Sequence, residues 1–344
     1  MSISEKDLLN ITGAPGAQYI LVNEKETILE CYAGVSDILK QTPVTPETTF
    51  NNFSVTKTAT ATAALLLVEQ GKIKLTDTIN PLFSHYPFTY PFTLQQLLAH
   101  QAGFANPIPI SWIHLPAEDK DFNESQFITD LVTKNAKQKY KPGTRFNYSS
   151  VGYLLLEQII EKLSGEHYED FVQKNILSKI TSGKLGFTIP DESRHATGYH
   201  PRYSFSNLIL GFFMDRKKFI AYNHESWMAF KNFYLSGKAY GGFIGNVRGL
   251  ASYLQLFLSN QIFENKETKA LMFAEQKGGM SLGWFTGKLN SDPFVCHAGG
   301  GGGYYCEIRI YPQLGLASAL LRNKSNFNDL RLLDKLDAPF VSNY

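Results

Sequence analysis

The chain has 344 residues, 43% of them hydrophobic, and a formal net charge of +2, enough apolar material for two lobes around substantial cores. The charge is near balance and no basic run is clustered, which leaves no case for nucleic acid, and no apolar run approaches membrane-spanning length. Three cysteines make no disulfide framework, so reduced thiols are the default.

The polar start Met1-Ser-Ile-Ser-Glu-Lys-Asp-Leu8 lacks the charged and apolar regions of a signal peptide. The expected location is cytoplasmic as the sequence stands, and a mature exported form would read the same way. Residues 18 to 33 read as an opening β-hairpin. After Thr48-Thr-Phe-Asn-Asn-Phe53 comes Ser54-Val-Thr-Lys57, then an alanine-rich stretch without Pro or Gly until Gly71. That stretch predicts a helix apolar on nearly every face, hence buried. Ser54 then lies near a helix N-terminus, where free N–H groups favour developing negative charge. Lys57 follows on the same face. A lysine at the base of a buried helix must be hydrogen-bonded or neutral, and a neutral lysine beside a serine is a proton acceptor. The plainer alternative is a capping serine and a snorkelling lysine.

The second segment is Lys141-Pro-Gly-Thr-Arg-Phe-Asn-Tyr-Ser-Ser150, a turn leading into a helix from Val151 to Leu163 that Ser164-Gly165 stops. Tyr148 and Ser150 therefore sit on a loop fixed to a rigid element. Beside a lysine cation, the Tyr148 phenol would have its pKa lowered and could act as a base. The alternative is that Tyr148 packs on the helix start while Ser149 or Ser150 caps it.

Between these helices and the C-terminal third, residues 199 to 234 are dense in aromatics, with Leu208-Ile-Leu-Gly-Phe-Phe-Met214 followed by Asp215-Arg-Lys-Lys218. This stretch suits an apolar lid or acyl pocket, a patch on a membrane surface, or a core segment of a helical lobe. The third segment, Pro293-Phe-Val-Cys-His-Ala298, alternates like a strand, five glycines follow, and Tyr304 to Tyr311 alternates again. A strand rather than a helix follows the glycines, which excludes a dinucleotide cradle. Glycines heading a strand instead let a substrate approach the backbone. A hairpin symmetric about Gly301 would set Cys296 opposite Cys306, with His297 turned to the other face and toward a cleft. His85, His100 and His114 are scattered without metal-ligand spacing, so neither metal nor cofactor is expected.

The segments Ser54-x-x-Lys57, Tyr148-x-Ser150 and His297-Ala-Gly299 fall in one order, together with Pro43 to Phe50, Gly71 to Asp77, Phe92 to Gly103, Ala196 to Tyr199, Tyr240 to Phe243 and Gly315 to Ala319. In these residues the chain resembles the serine β-lactamase and penicillin-binding-protein superfamily, in its class C-like branch of peptidases and esterases. The resemblance implies an α+β fold: a three-layer α/β/α lobe with an antiparallel sheet built from both chain ends (1–75 plus 236–344), and an inserted, mostly helical lobe (76–235). It implies Ser54 as nucleophile, Lys57 and Tyr148 as the proton-transfer pair, and the backbone N–H groups of Ser54 and Gly300 as oxyanion hole. Ser150, His297, Ala298 and Gly299 would bind substrate. Penicillin-binding members usually carry Tyr-x-Asn and Lys-Thr-Gly, so Ser150 and His-Ala-Gly here imply weakened carboxylate recognition. The expected activity is hydrolysis of a small ester or amide through an acyl-enzyme. The alternatives are a D-alanyl-D-alanine carboxypeptidase or β-lactamase, and a catalytically weak scaffold.

Overall fold

The computed structural model describes residues 2–204, 207, 214–325 and 331–341. Among them, a seven-stranded antiparallel sheet draws on both ends of the chain. Its strands are β1 (Gly16–Asn23), β2 (Thr27–Asp37) and β3 (Thr42–Pro43) from the N-terminal side. After β4 (Phe50–Phe53) and β5 (Phe243–Gly245), which pair with each other outside this sheet, the C-terminal side supplies β6 (Phe285–Leu289), β7 (Asp292–Gly301), β8 (Tyr304–Tyr311) and β9 (Leu316–Arg322). The spatial order is β6-β7-β8-β9-β1-β2-β3, so β1 sits inside the sheet, against β9 on one side and β2 on the other.

The inner strands are buried along their whole length rather than on one face: every residue of β8 and β9 is buried. A strand buried on both faces needs cover on both faces. On the outer face, α1 (Glu5–Thr12) and the C-terminal helix Leu333–Val341 press Leu8, Leu333 and Leu336 onto Tyr19, Leu21 and Leu320. The Ser4–Asp7 capping box starts α1 and Gly13 in the left-handed conformation ends it. On the inner face the helix Val247–Leu258 lies on β1 and β9, and α2 (Thr56–Glu69) runs through the main core, buried from Thr56 to Leu67. Three threonines spend their hydroxyls inside that core: Thr58 meets the Tyr253 hydroxyl at 3.0 Å, Thr60 the Tyr168 hydroxyl at 2.7 Å, and Thr62 donates to the Thr58 carbonyl at 2.8 Å. Buried hydroxyls without such partners would be costly.

Two expectations need correction. The aromatic stretch from Tyr199 onward is not part of a helical mass, because Tyr199–Pro201, Trp227–Phe230 and Ile220–His224 form a three-stranded antiparallel sheet. Its apolar run Leu208 to Phe213 lies outside the described residues. Nor does the glycine hairpin centre on Gly301. Gly301 pairs with Tyr304 and Gly299 with Cys306, while Cys296 opposes Arg309. The register is offset by an odd number of residues, which turns Cys296 and Cys306 to opposite faces of the sheet. All three cysteines are free thiols. Among the described residues no helix is long and apolar enough to cross a membrane.

Candidate active site

The turn between β4 and α2 places Ser54 at the mouth of a cleft. The helix starts at Thr56, and the cap position, Val55, makes no side-chain cap bond, so Ser54 is not the capping serine of the plainer reading. Its Oγ lies 3.1 Å from Lys57 Nζ. Phe53, just before it, has φ +49, a left-handed conformation that costs a bulky residue on the order of 1–3 kcal/mol.

Lys57 is fully buried. Its Nζ donates to the Tyr240 carbonyl at 2.6 Å and lies 5.0 Å, 5.6 Å and 5.4 Å from the ring centres of Tyr148, Tyr153 and Tyr240. Among the described residues no carboxylate is paired with it, and burial holds its pKa well below the usual lysine value. In the neutral state the amine keeps one lone pair, placed to accept the Ser54 hydroxyl proton.

Tyr148 behaves in the opposite sense to the sequence expectation. Burial pushes its phenol well above the ordinary tyrosine value, with a weaker lowering by its hydrogen bond with Ser54. Burial also disfavours the ammonium form of the lysine beside it, which works against a cationic lowering of the phenol, and Tyr148 stays a proton donor.

The segment 100–106 holds the Tyr148 loop at each residue. The His100 carbonyl accepts from the Asn147 N–H at 2.8 Å and His100 Nδ1 from the Ser149 N–H at 3.1 Å. Ser149 Oγ donates to the Ala105 carbonyl at 2.8 Å, and Asn106 Oδ1 accepts from the Ser150 N–H at 3.0 Å. Ser149 also caps the helix Ser150–Ser164, accepting from the Gly152 N–H. Ser150, its first residue, is buried at the cleft wall. Sequence reasoning missed His100 and Asn106 as site-building residues; the signal for His100 lay in Phe92 to Gly103, which served only as part of a resemblance, and Asn106 falls just beyond that segment.

β6 ends its pairing at Phe285 with Cys296, so residues 297 to 301 of β7 are paired with β8 alone. This one-sided edge faces Ser54. A Cβ on Gly299 would come within 2.5 Å of the Ser54 nitrogen and 2.6 Å of the Asn52 carbonyl; only glycine lets the strand lie against the nucleophile turn. Gly300 is exposed in the same one-sided stretch. His297 faces inward, fully buried, with its ring 6.3 Å from Tyr148 and 5.3 Å from Phe285. Its Nδ1 lies 2.9 Å from the Ala298 carbonyl. A carbonyl only accepts, so Nδ1 carries the proton and Nε2 presents a lone pair that has no partner among the described residues. Burial first, then Lys57, lowers its pKa to about 3, so the ring stays neutral. Ala298 turns its methyl outward onto the Tyr305 side of the sheet, contributing backbone rather than side chain to the edge.

Ser54, Tyr148, Ser150 and residues 297 to 300 thus line one cleft of about 810 Å3, and Lys57 lies beneath its floor. Much of the remaining wall is apolar, including Ile108, Ile110, Ile113, Met214, Phe230 and Phe233, but it also carries His200, Glu307, Ser325 and Arg331. Among the described residues no group of three or more His, Cys, Asp or Glu is arranged to hold a metal ion.

The family described as Beta-lactamase is matched over residues 5–339. "Protein flp" of Staphylococcus aureus (strain N315) is 27% identical over 194 residues, covering 54% of this chain and 38% of that protein. "Penicillin-binding protein 4*" of Bacillus subtilis (strain 168) is 28% identical over 144 residues, covering 42% of this chain and 31% of that protein. The matched region is thus well under half the length of these relatives. Among solved structures, the octameric penicillin-binding protein homologue from Pyrococcus abyssi superposes with a TM-score of 0.78 at 23% identity, over 98% of this chain and 76% of that one. The D-amino acid amidase from Ochrobactrum anthropi SV3 gives 0.76 at 20% identity, over 98% and 99%. At these identities the structures speak for a shared fold.

Proposed function

The chain belongs to the beta-lactamase family, and from that premise we propose that it is a serine hydrolase that cleaves small esters or amides with a bulky apolar group, through an acyl-enzyme on Ser54. The observation that carries this reading is Lys57: a fully buried amine, without a carboxylate, 3.1 Å from a serine hydroxyl that lines an open cleft. A binding scaffold gains nothing from the cost of burying that amine.

The steps balance as follows. Ser54 Oγ attacks the substrate carbonyl carbon while its proton passes to Lys57 Nζ. The oxyanion sits between the backbone N–H groups of Ser54 and Gly300, where one donor is typically worth about 3 kcal/mol. As the carbon–leaving-group bond breaks, the leaving group takes a proton from the Tyr148 hydroxyl, which Lys57 replenishes. Water then attacks the ester carbonyl, giving its proton to the same pair, and Ser54 leaves with a proton.

The apolar wall supports a hydrophobic acyl or leaving group. A neutral His297 and an alanine at 298 offer a carboxylate little, and the Arg331 guanidinium on the cleft wall is already paired with Asp334 at 2.9 Å, which favours an ester or neutral amide over a penicillin or a D-alanyl peptide. The alternative carboxypeptidase reading rests on the family and on the penicillin-binding relatives.

Intact-mass measurement after treatment with a fluorophosphonate tests the nucleophile. One adduct on Ser54, absent in Ser54→Ala, is the expected outcome; an unchanged mass would refute an activated serine. Parallel treatment with penicillin separates the substrate classes, since a stable adduct would move the assignment to peptidoglycan-type peptides. A third arm compares p-nitrophenyl esters of increasing chain length, for which kcat/KM should rise with length.

A further inference from the structure

Seven non-glycine residues adopt positive φ among the described residues: Gln41, Phe53, His100, Glu225, Asn260, Asn290 and Arg331. Five are exposed, where a left-handed residue simply turns the chain; only Phe53 and His100 are buried. Phe53 immediately precedes Ser54. His100 is far from the nucleophile in sequence, yet its ring centre is 4.4 Å from that of Tyr148.

His100 bears a second local cost. Its Nδ1 accepts from a backbone N–H, so the ring is neutral with its proton on Nε2. That Nε2–H is buried without a partner among the described residues. Burial, then Lys57 and His297, hold the ring's pKa well below the usual histidine value, which keeps Nδ1 free to accept. A residue that combines a strained backbone with an unpaired buried donor is retained for what it holds. What it holds is specific: its carbonyl takes the N–H of Asn147, its Nδ1 takes the N–H of Ser149, and its ring lies on the residue between them. The far side of the imidazole packs on Tyr153, at 4.9 Å between ring centres, and Tyr153 is itself fixed by its hydroxyl donating to the Leu98 carbonyl at 3.0 Å.

We infer that His100 is a positioning residue for the reaction: it bridges both neighbours of Tyr148 and so sets where the phenol hydroxyl meets Ser54 and Lys57. The inference rests on the serine-hydrolase reading above. His100 touches no reacting atom and moves no proton; it acts through its acceptor nitrogen and its backbone.

Substitutions that separate acceptor from ring test it. Asparagine places its Oδ1 near where Nδ1 stands and tolerates positive φ. Glutamine reaches past the Ser149 N–H, and phenylalanine keeps the ring without an acceptor. His100→Asn should retain kcat on a p-nitrophenyl ester within about fivefold, with a pH profile of unchanged shape. His100→Gln and His100→Phe should lose about 30- to 100-fold in kcat with KM little altered, the scale that a displacement of about 1 Å produces. Each variant is first matched to the parent in near-ultraviolet circular dichroism; should the phenylalanine variant not fold, the Asn–Gln contrast decides alone. Equal kcat in His100→Asn and His100→Gln, whether high or low, would overturn the inference. So would loss of a limb of the pH profile in His100→Asn, because that would make His100 a proton carrier. Failure of the underlying reading shows elsewhere: Ser54→Ala would then keep its turnover, whatever the His100 variants do.

Discussion

Burial moves the two titrating side chains beside Ser54 in opposite directions: it disfavours the charged form of the Lys57 amine and holds the proton on the Tyr148 phenol. The competent form of the base is the neutral amine, so kcat/KM should rise with pH through an apparent pKa below that of an ordinary lysine, then level off. Tyr148→Phe should lower the whole profile by orders of magnitude and leave that rising limb in place. If the limb vanished with the phenol, the tyrosine would be the base and the present assignment would fall. Lys57→Met, which fills the same space without the amine, should reduce turnover at least as far while folding normally, read by thermal melting. The sequence located these two residues as a proton-transfer pair and offered either as the base. Adjacency alone does not choose between them; the packing does, because burial raises the phenol and lowers the amine.

At the level of strands and helices, the glycine strand makes the sharpest prediction. Gly299→Ala inserts a methyl where the Ser54 nitrogen and the Asn52 carbonyl already stand at 2.5 Å and 2.6 Å, both backbone atoms that cannot rotate away. Strand and nucleophile turn must separate, and turnover should fall by about 100-fold or more, while a methyl on neighbouring Gly300, whose closest contact would be 3.3 Å, should be milder in its effect on folding. A Gly299→Ala enzyme with parental kcat would show that the edge does not need this approach. Much of this level was readable in advance. The buried helix after Ser54 and the helix ended by Gly165 appear within a residue or two of their expected limits, and the opening hairpin is present but runs on to Asp37 rather than 33. The glycine hairpin was not, because five glycines in a row leave the turn without side-chain signals, and an odd slip there exchanges the two faces. The small sheet from Tyr199 was missed because dense aromatics suit a strand and a buried helix equally.

For the molecule as a whole, the two faces of the large sheet do different work. The inner face carries Ser54, Lys57 and Tyr148, and the cleft reaches round the strand edge to Tyr305 and Glu307. The outer face buries Arg309, which donates to Glu307 at 2.8 Å and to the Tyr311 hydroxyl at 3.0 Å, and pairs with Asp334 at 2.8 Å and Asp337 at 3.9 Å. Removing one member of such a cluster leaves the others charged and dry, typically a loss of about 3–5 kcal/mol. Arg309→Met should therefore lower the urea midpoint markedly and leave the rate of Ser54 labelling by a fluorophosphonate unchanged, because Arg309 lies across the sheet from Ser54. A stable variant with an altered labelling rate would mean that the two faces are coupled. The layered architecture was legible from apolar strands at both ends of the chain, whereas this charged cluster was not, since its members are scattered through β8 and the last helix.

The pairing of Ala17 with Arg322 has a consequence in time. A chain emerging from the ribosome presents Ser54 and Lys57 well before the strand that flanks β1 and the glycine edge that faces the serine. Contacts of such long sequence separation form slowly. The nascent protein therefore holds an unfinished sheet and an unformed cleft until β7 to β9 have been made, which delays any acylation of Ser54 and leaves the bare edges of β1 and β2 for chaperones to cover.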